Sequence, residues 1–423
     1  MDTRIHPRFA DDPAARIAAQ ALRNCVHCGF CNATCPTYQE LGDELDGPRG
    51  RIYLIKQVLE EGDAGPATGR HLDRCLTCLN CMTTCPSGVN YAHLVEFGRA
   101  TVEQDVARGW HERLLREALK RALPAGWPLR LALGAGRMVR PLLRGELRAK
   151  VPPRHTAPPR PEPGSPGTSI LQGGSVAFAH GRVLLLAGCV HDAIDARINA
   201  AFQRLMAARG IEVVQVSAAS CCGAVEHHLS DAERTHARLR ANLDAWAPQL
   251  ERGVDAVVST ASGCGAMLRD YAHLLAGDDD YADRARQLTE LVRDPAELFD
   301  ADTIRALGIS VADDERRIAW HAPCTLQHGQ GLAGRVEPLL QAAGCEVLPV
   351  AEGHLCCGSA GTYSITQPGM ARQLRDRKLG HLEAPGPTRI VSANIGCLSH
   401  LQSGTELGVE HWLSLLDRHR PGS

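Results

Sequence analysis

The sequence predicts a composite of α+β and α/β architecture: a mainly helical N-terminal domain, then two pseudo-symmetric α/β lobes. Three observations predict it. Eight cysteines near the start fall into two copies of one spacing. A proline-rich stretch then interrupts the chain. Beyond it, short apolar strands alternate with helical segments while a second cysteine pattern repeats in register.

The first element is the doubled motif. Cys25, Cys28, Cys31 and Cys35 precede Pro36, and Cys75, Cys78, Cys81 and Cys85 precede Pro86, fifty residues later. This is C-x₂-C-x₂-C-x₃-C-P written twice, the spacing of a bacterial two-cluster ferredoxin-type domain. Three closely spaced thiolates converge on one [4Fe–4S] cube, and the cysteine before proline crosses to the other. The expected ligand sets are Cys25, Cys28, Cys31 and Cys85 for the first cube, and Cys75, Cys78, Cys81 and Cys35 for the second. Pro36 and Pro86, with fixed φ and no N–H, turn the chain away after the crossing ligand. A Cys₄ zinc site is the competing reading, but zinc needs only two C-x₂-C pairs and no crossing ligand. The start, MDTRIHPRFADDPAARIAAQ, is charged and lacks a signal-peptide pattern. A reducing, cytoplasmic setting is therefore expected, and a disulfide framework is not.

Bulk composition removes other classes. A formal net charge of −2 gives no electrostatic reason to expect nucleic acid. Aromatic residues are 4% of the chain, leaving few rings to stack on bases or on a flavin. No apolar run is long enough to span a bilayer. The best candidate, Trp127 to Leu143, is interrupted by Arg130, Arg137 and Arg140. It reads as an amphipathic helix packed on its own N-terminal domain, with docking to a partner or a membrane surface as the other outcome.

The remaining elements follow in order. Residues 1–145 form the ferredoxin-type domain, in which IYLIKQVLEEG is a helix ending at Gly62. Residues 146–181 form a linker, with seven prolines between 151 and 168, semi-rigid and without a core of its own. The first α/β lobe covers 182–312 and the second 313–423. Strands are expected at VLLLAG, EVVQVS, AVVST, RIAWHA, CEVLPV and RIVSAN. Each is followed by a helical stretch, which argues for parallel sheets.

The lobes carry the second cysteine pattern. Gly188-Cys189, Cys221-Cys222-Gly223 and Cys264 recur as Pro323-Cys324, Cys356-Cys357-Gly358 and Cys397, at offsets of 135, 135 and 133 residues. Each lone cysteine precedes its Cys-Cys-Gly turn by 32 positions. Adjacent cysteines do not bond each other without strain. Both sulfurs can face one site, with the glycine supplying the permissive backbone. Four thiols per lobe could hold an additional iron–sulfur cluster, bind zinc or act as a redox dithiol. Buried apolar cysteines would explain one position but not eight in register. Cys345, which has no counterpart, fits the core reading. His321 and His328 flank Cys324, and His227, His228 and His354 lie near the turns. His328 and His354 are the preferred proton carriers. Arg49 and Arg51 lie either near a cube, where a cation favours the reduced state, or in a solvated loop.

These residues carry a family resemblance. CVHCGFCNATCPTYQELGDELDGPRGRIYLIKQVLE, HLDRCLTCLNCMTTCPSGVNY, TASGCGAM and HLCCGSAGTY resemble the fused ferredoxin-plus-CCG iron–sulfur subunits of membrane-linked dehydrogenases. The likeness is to glycolate oxidase subunits above all, with anaerobic glycerol-3-phosphate and lactate dehydrogenase subunits and heterodisulfide reductases as cousins. It implies two partner subunits carrying FAD or FMN that oxidise glycolate to glyoxylate. Electrons would then pass through this chain to a quinone or similar membrane acceptor, with the complex peripheral on the inner face of the cell membrane. Heterodisulfide reductases end each CCG set in C-x₂-C; here Met267 and His400 stand at the fifth position. That departure counts against their non-cubane clusters and their chemistry. No G-x-G-x-x-G follows a strand and no P-loop is present, so no flavin and no catalytic residue for glycolate are expected on this chain. A self-sufficient thiol or disulfide reductase and a zinc scaffold are the rival classes.

Overall fold

A computed structural model of the chain describes residues 1–140 and 170–422. Most of the proline-rich linker, and the end of the Trp127–Leu143 helix, lie outside the described residues.

The N-terminal domain is helical, and its helices begin where the local chemistry dictates. Asp12 accepts the Ala14 N–H and Pro13 opens the Pro13–Asn24 helix. Its buried Ala15, Ala18, Ala19 and Leu22 share one face at helical spacing. The next long helix, Pro48–Glu61, ends at Gly62 with φ +90°, as the sequence indicates. The Tyr91–Asp105 helix closes the core over Ile55, Leu59 and Leu72. Gly98 permits that approach: a Cβ there would lie 2.9 Å from both Ile55 and Leu72 side chains.

The rest is two parallel four-stranded sheets, in the expected mixed α/β class. The first contains β1 (Arg182–Leu185), β2 (Glu212–Val214), β3 (Ala256–Val258) and β4 (Val292–Arg293), in the order β2-β1-β3-β4. The second contains β5 (Arg317–His321), β6 (Glu346–Leu348), β7 (Arg389–Ser392) and β8 (Gly408–His411), in the order β6-β5-β7-β8. All six expected strands are present. The edge strands β4 and β8 were not expected: one has two residues, the other reads Gly-Val-Glu-His, and neither makes an apolar run. Central strands such as Val183, Leu184 and Leu185 are buried on both faces. The lobes share one core in which Phe202, Phe299, Trp320 and Trp412 meet. Arg204 pairs with Asp417 across them at 3.0 Å.

Two placements differ from the sequence reading. The described part of the amphipathic helix, Trp127–Val139, does not pack on the ferredoxin-type domain alone. It leans on the first lobe, where Arg137 donates to Ala193 O at 2.8 Å. Residues 170–181, given to the linker on composition, are folded against the first lobe. Leu171 N–H donates to Arg209 O, and Phe178 is buried beneath the Arg209 guanidinium. Composition averages over a proline-rich stretch and does not see the few apolar residues at its end.

Candidate functional site

The doubled motif folds as two similar loops. His27 and Thr77 have positive φ, and so do Gly29 and Leu79 two residues on. Left-handed residues between the cysteines curl each backbone into a concave nest of N–H groups, which suits an anionic ligand. Leu79 holds this conformation without glycine's freedom, a strained arrangement of the kind found at functional sites.

Cys85 lines the same small cavity as Cys25, Cys28 and Cys31, together with Arg49, Pro48 and Pro86. Cys81 reaches its wall as well. Burial and the neighbouring Cys25, Cys85 and Cys28 push the Cys31 thiol up to about 11. Burial and the surrounding thiols Cys78, Cys75 and Cys35 raise the Cys81 thiol well above its ordinary value. Cys78 is raised well above its ordinary value by burial, then by Cys324 and Cys35. Crowded thiols that oppose one another's ionisation are a poor arrangement for a metal-free protein. They suit a cationic iron core that accepts all four as thiolates.

Arg49 and Arg51 part company. Arg49 lies at the first cavity and pairs with Glu44 at 2.6 Å, both side chains more than a third exposed. Arg51 is buried beside Cys35, its guanidinium 3.9 Å from the Sγ. It also donates to His71 O at 2.8 Å and Thr37 Oγ1 at 3.1 Å. Its countercharge is Asp46, fully buried, which also meets His71 and Arg74. Burial alone would raise the Cys75 thiol. The charges of Arg51 and Arg99, with the Thr77 N–H, lower it instead.

The lobe cysteines assemble as two sets. Helix starts after β1, β3, β5 and β7 bring Cys189, Cys264, Cys324 and Cys397 to the carboxyl ends of central strands, where open α/β sheets place their sites. Gly223 and Gly358 take φ of +91° and +86°, so each Cys-Cys-Gly turn points both sulfurs inward. In the first lobe Cys189, Cys221, Cys222 and Cys264 stand close enough to shift one another's thiols. In the second Cys324, Cys356, Cys357 and Cys397 do the same, with the Cys324 and Cys356 sulfurs hydrogen-bonded at 3.8 Å. The first set, Cys324, Cys356 and Cys397 of the second, and Cys75 and Cys78 line one cleft of about 1800 Å³. The second set is the nearer to the ferredoxin-type loops, since Cys78, Leu76, Cys324 and Cys356 pack in one cluster. Cys345 sits in the shared core, away from both sets.

The histidines are placed variously. His328 and His354 meet, Nε2 to carbonyl oxygen at 3.0 Å, and Thr83 reaches His328 Nδ1 at 2.9 Å. They seal the dock between the second motif and the second lobe. His228 is exposed at the rim of the cleft, and the protein around it and His227 lower its pKa. Sequence reading missed two buried charges. Lys378 lies beside the second set, lowered to about 8 by burial although Cys357 and Cys356 oppose the shift. Glu226 faces the first set, raised by burial and by Cys221, with Arg238 at 3.3 Å. Neither belongs to a motif; each is a single charge on a helix.

His227 docks the first lobe on the Tyr91–Asp105 helix, Nε2 to Glu96 Oε1 at 3.1 Å. His93, His273, Asp270 and Arg99 face the same pair. Burial opposes both ionisations. Even so, the hydrogen bond to Glu96 and the charges of Glu96 and Asp270 raise His227, and His227 with its neighbours lowers Glu96. Glu96 therefore stabilises above about pH 4.5 and loses its contribution as pH falls through its lowered value. His227 contributes fully below about pH 6.5 and loses its share as pH rises through its raised value. The pair's effect is expected to peak between these limits. Melting curves across pH 4–9 test this; Glu96→Gln should flatten the alkaline decline, and an unchanged profile would exclude the pair as its cause.

Eight thiols in a dicluster arrangement, docked on two cysteine-rich α/β lobes, define an iron–sulfur protein of the ferredoxin-plus-CCG class. The family model for 4Fe-4S dicluster domains matches residues 21–89, and that for the cysteine-rich CCG domain matches 183–269 and 318–402. The chain is 46% identical over 99% of its length to the glycolate oxidase iron–sulfur subunit of Escherichia coli K12, covering 99% of that protein. It is 30% identical to the probable glycolate oxidase iron–sulfur subunit of Bacillus subtilis 168, over 91% of this chain and 89% of the relative. Lactate utilization protein A of Geobacillus kaustophilus is 26% identical over 52% of this chain and 90% of its own length. The chain belongs to the family of glycolate oxidase iron–sulfur subunits. Among the described residues, no helix is long and apolar enough to cross a membrane.

Proposed function

We propose that this chain is the electron-transfer subunit of a glycolate oxidase, taking electrons from a reduced flavin on partner subunits and delivering them to a quinone or similar acceptor. The observation that carries the reading is continuity: the Cys78 loop packs directly on Cys324 and Cys356 of the second lobe. An iron–sulfur cluster, when bound, takes up and releases one electron at a time. Cys25, Cys28, Cys31 and Cys85 would hold one cluster, and Cys75, Cys78, Cys81 and Cys35 the other. The four thiols of each lobe would hold a further iron–sulfur group. Arg51, Arg99 and the nest N–H groups supply the positive field that an added electron needs. The chain's own residues leave the oxidation of glycolate to the flavin subunits.

The Trp127–Val139 helix is the candidate docking element on the membrane's inner face. It exposes Trp127, Leu131 and Met138 to 59%, 64% and 78%, the amphipathic character of an interfacial helix. The test is anaerobic. The purified chain should hold about eight irons or more, and glycolate should bleach its cluster absorbance only after flavoprotein partners are added. Bleaching by glycolate with this chain alone, or stoichiometric zinc in place of iron, would overturn the reading.

A further inference from the structure

The two lobes are alike in their cysteines and differ in a residue at the carboxyl end of their first strand. His321 ends β5 and is 1% exposed, and neither of its ring nitrogens has a hydrogen-bond partner. A buried polar group left unpaired is costly, and most such groups in folded proteins have an identifiable partner or a role. The ring is aimed at thiols: one ligand atom of His321 and the sulfurs of Cys357 and Cys397 all lie within 4.8 Å of one another. Donor atoms on a single metal, bonded at about 2.0–2.3 Å, stand roughly 3–4 Å apart. At the matching register of the first lobe, 135 residues earlier, stands Leu186, fully buried. The repeat therefore preserves all eight cysteines and puts an imidazole at this register in one lobe only; among the described residues the first lobe's buried His191, whose ring nitrogens also lack partners, forms no such group with thiols. His400, three residues after Cys397, is engaged elsewhere, its Nε2 3.0 Å from Ala371 O.

We propose that His321 is a ligand of the second-lobe group, which is held by thiolates and one imidazole, while the first-lobe group is held by thiolates alone. The proposal rests on the reading that the lobes hold iron–sulfur groups. Its consequence is electrostatic. A neutral imidazole in place of a thiolate makes a cluster less negative and raises its reduction potential. Lys378, whose ammonium donates to Glu352 O and Gly353 O, adds positive charge at the same thiols. The first lobe instead carries the Glu226 carboxyl against Cys221. The second lobe is thus the higher-potential one. It receives a single electron from the adjacent cluster held by Cys78, which is oxidised by one as the second-lobe group is reduced by one.

The experiment uses the full chain, purified anaerobically and labelled with ¹⁵N-histidine, and reads iron content and electron spin-echo modulation. The expected result is the coupling of a directly bound imidazole nitrogen in the reduced wild type. It should be absent in His321→Leu, which copies the first lobe. His321→Cys should retain wild-type iron without the nitrogen coupling, which separates ligation from misfolding. Absence of that coupling in the wild type, or its persistence in His321→Leu, overturns the proposal. Cys357→Ser and Cys222→Ser distinguish the levels of failure. If neither lowers the iron content, the lobes hold no iron and both readings fall together. If Cys357→Ser loses iron while His321→Leu changes neither iron nor spectrum, the ligand assignment alone falls.

Discussion

Replacing Cys78 with serine is expected to remove one cluster, about four irons per chain, and to break electron delivery from flavoprotein to the second lobe. A hydroxyl is far less acidic than a thiol and a harder ligand, so it does not replace a thiolate on iron at neutral pH. Cys78 is the sharpest choice because it stands where the two cysteine systems touch, packed with Cys324 and Cys356. The other proposed cluster, at Cys25, Cys28, Cys31 and Cys85, should remain and, on the proposed function, should still be reduced by flavin partners. Iron analysis with rapid mixing against the reduced flavoprotein checks both halves. Cys345→Ala is the control. Cys345 is buried in the shared core, with its thiol pushed up to about 12 by burial. Its loss should cost on the order of 1 kcal/mol and no iron. Full iron in Cys78→Ser would remove it from the ligand set.

The second large effect is Arg51→Ala. Arg51 and Asp46 are 1% and 0% exposed, 3.5 Å apart, and tie together the Pro48–Glu61 helix, the turn before it and the His71 carbonyl. Removing one partner of a buried ion pair leaves the other uncompensated, at a cost of about 3–5 kcal/mol. His71 and Arg74 still contact Asp46 and should hold the loss toward the lower end. The thermal midpoint of the anaerobic protein should fall by on the order of 10 °C. The same substitution withdraws the guanidinium from Cys35 and Cys75, so the second cluster's reduction potential should fall as well. Arg49→Ala is the comparison, an exposed pair expected to cost less than about 1 kcal/mol. Equal effects from the two substitutions would contradict the structural distinction between them.

That distinction shows what spacing can and cannot convey. Arg49 and Arg51 are equivalent in sequence, two cations in one Pro-Arg-Gly-Arg stretch. A helix turns about 100° per residue, so they leave it in different directions, one to a solvated cavity and one to a buried carboxylate. The histidines behave alike. His328 and His354 were legible as neighbours of cysteines, and both prove to be at the domain dock. His321 was equally legible, yet its importance lies in two unpaired nitrogens that no spacing reveals. Lys378 and Glu226 gave no signal, because a lone charge on a helix is ordinarily solvated. The edge strands were missed for lack of an apolar run, and residues 170–181 were assigned by the prolines that precede them.

The sequence by itself determined the class of this protein. Iron–sulfur ligation asks for three thiols within seven residues and a cysteine before proline, twice over, and so it is written in the chain as spacing. The duplicated lobes are likewise written as a register that the cysteines keep over 135 residues. Only the tertiary structure decided how these parts adjoin. It set the Cys78 loop against the second lobe, buried Arg51 on Asp46, and brought Lys378 and His321 to the second lobe's thiols and Glu226 to the first lobe's. Those relations join residues hundreds of positions apart, and they arise from packing and desolvation, which act through space and leave no period in the sequence.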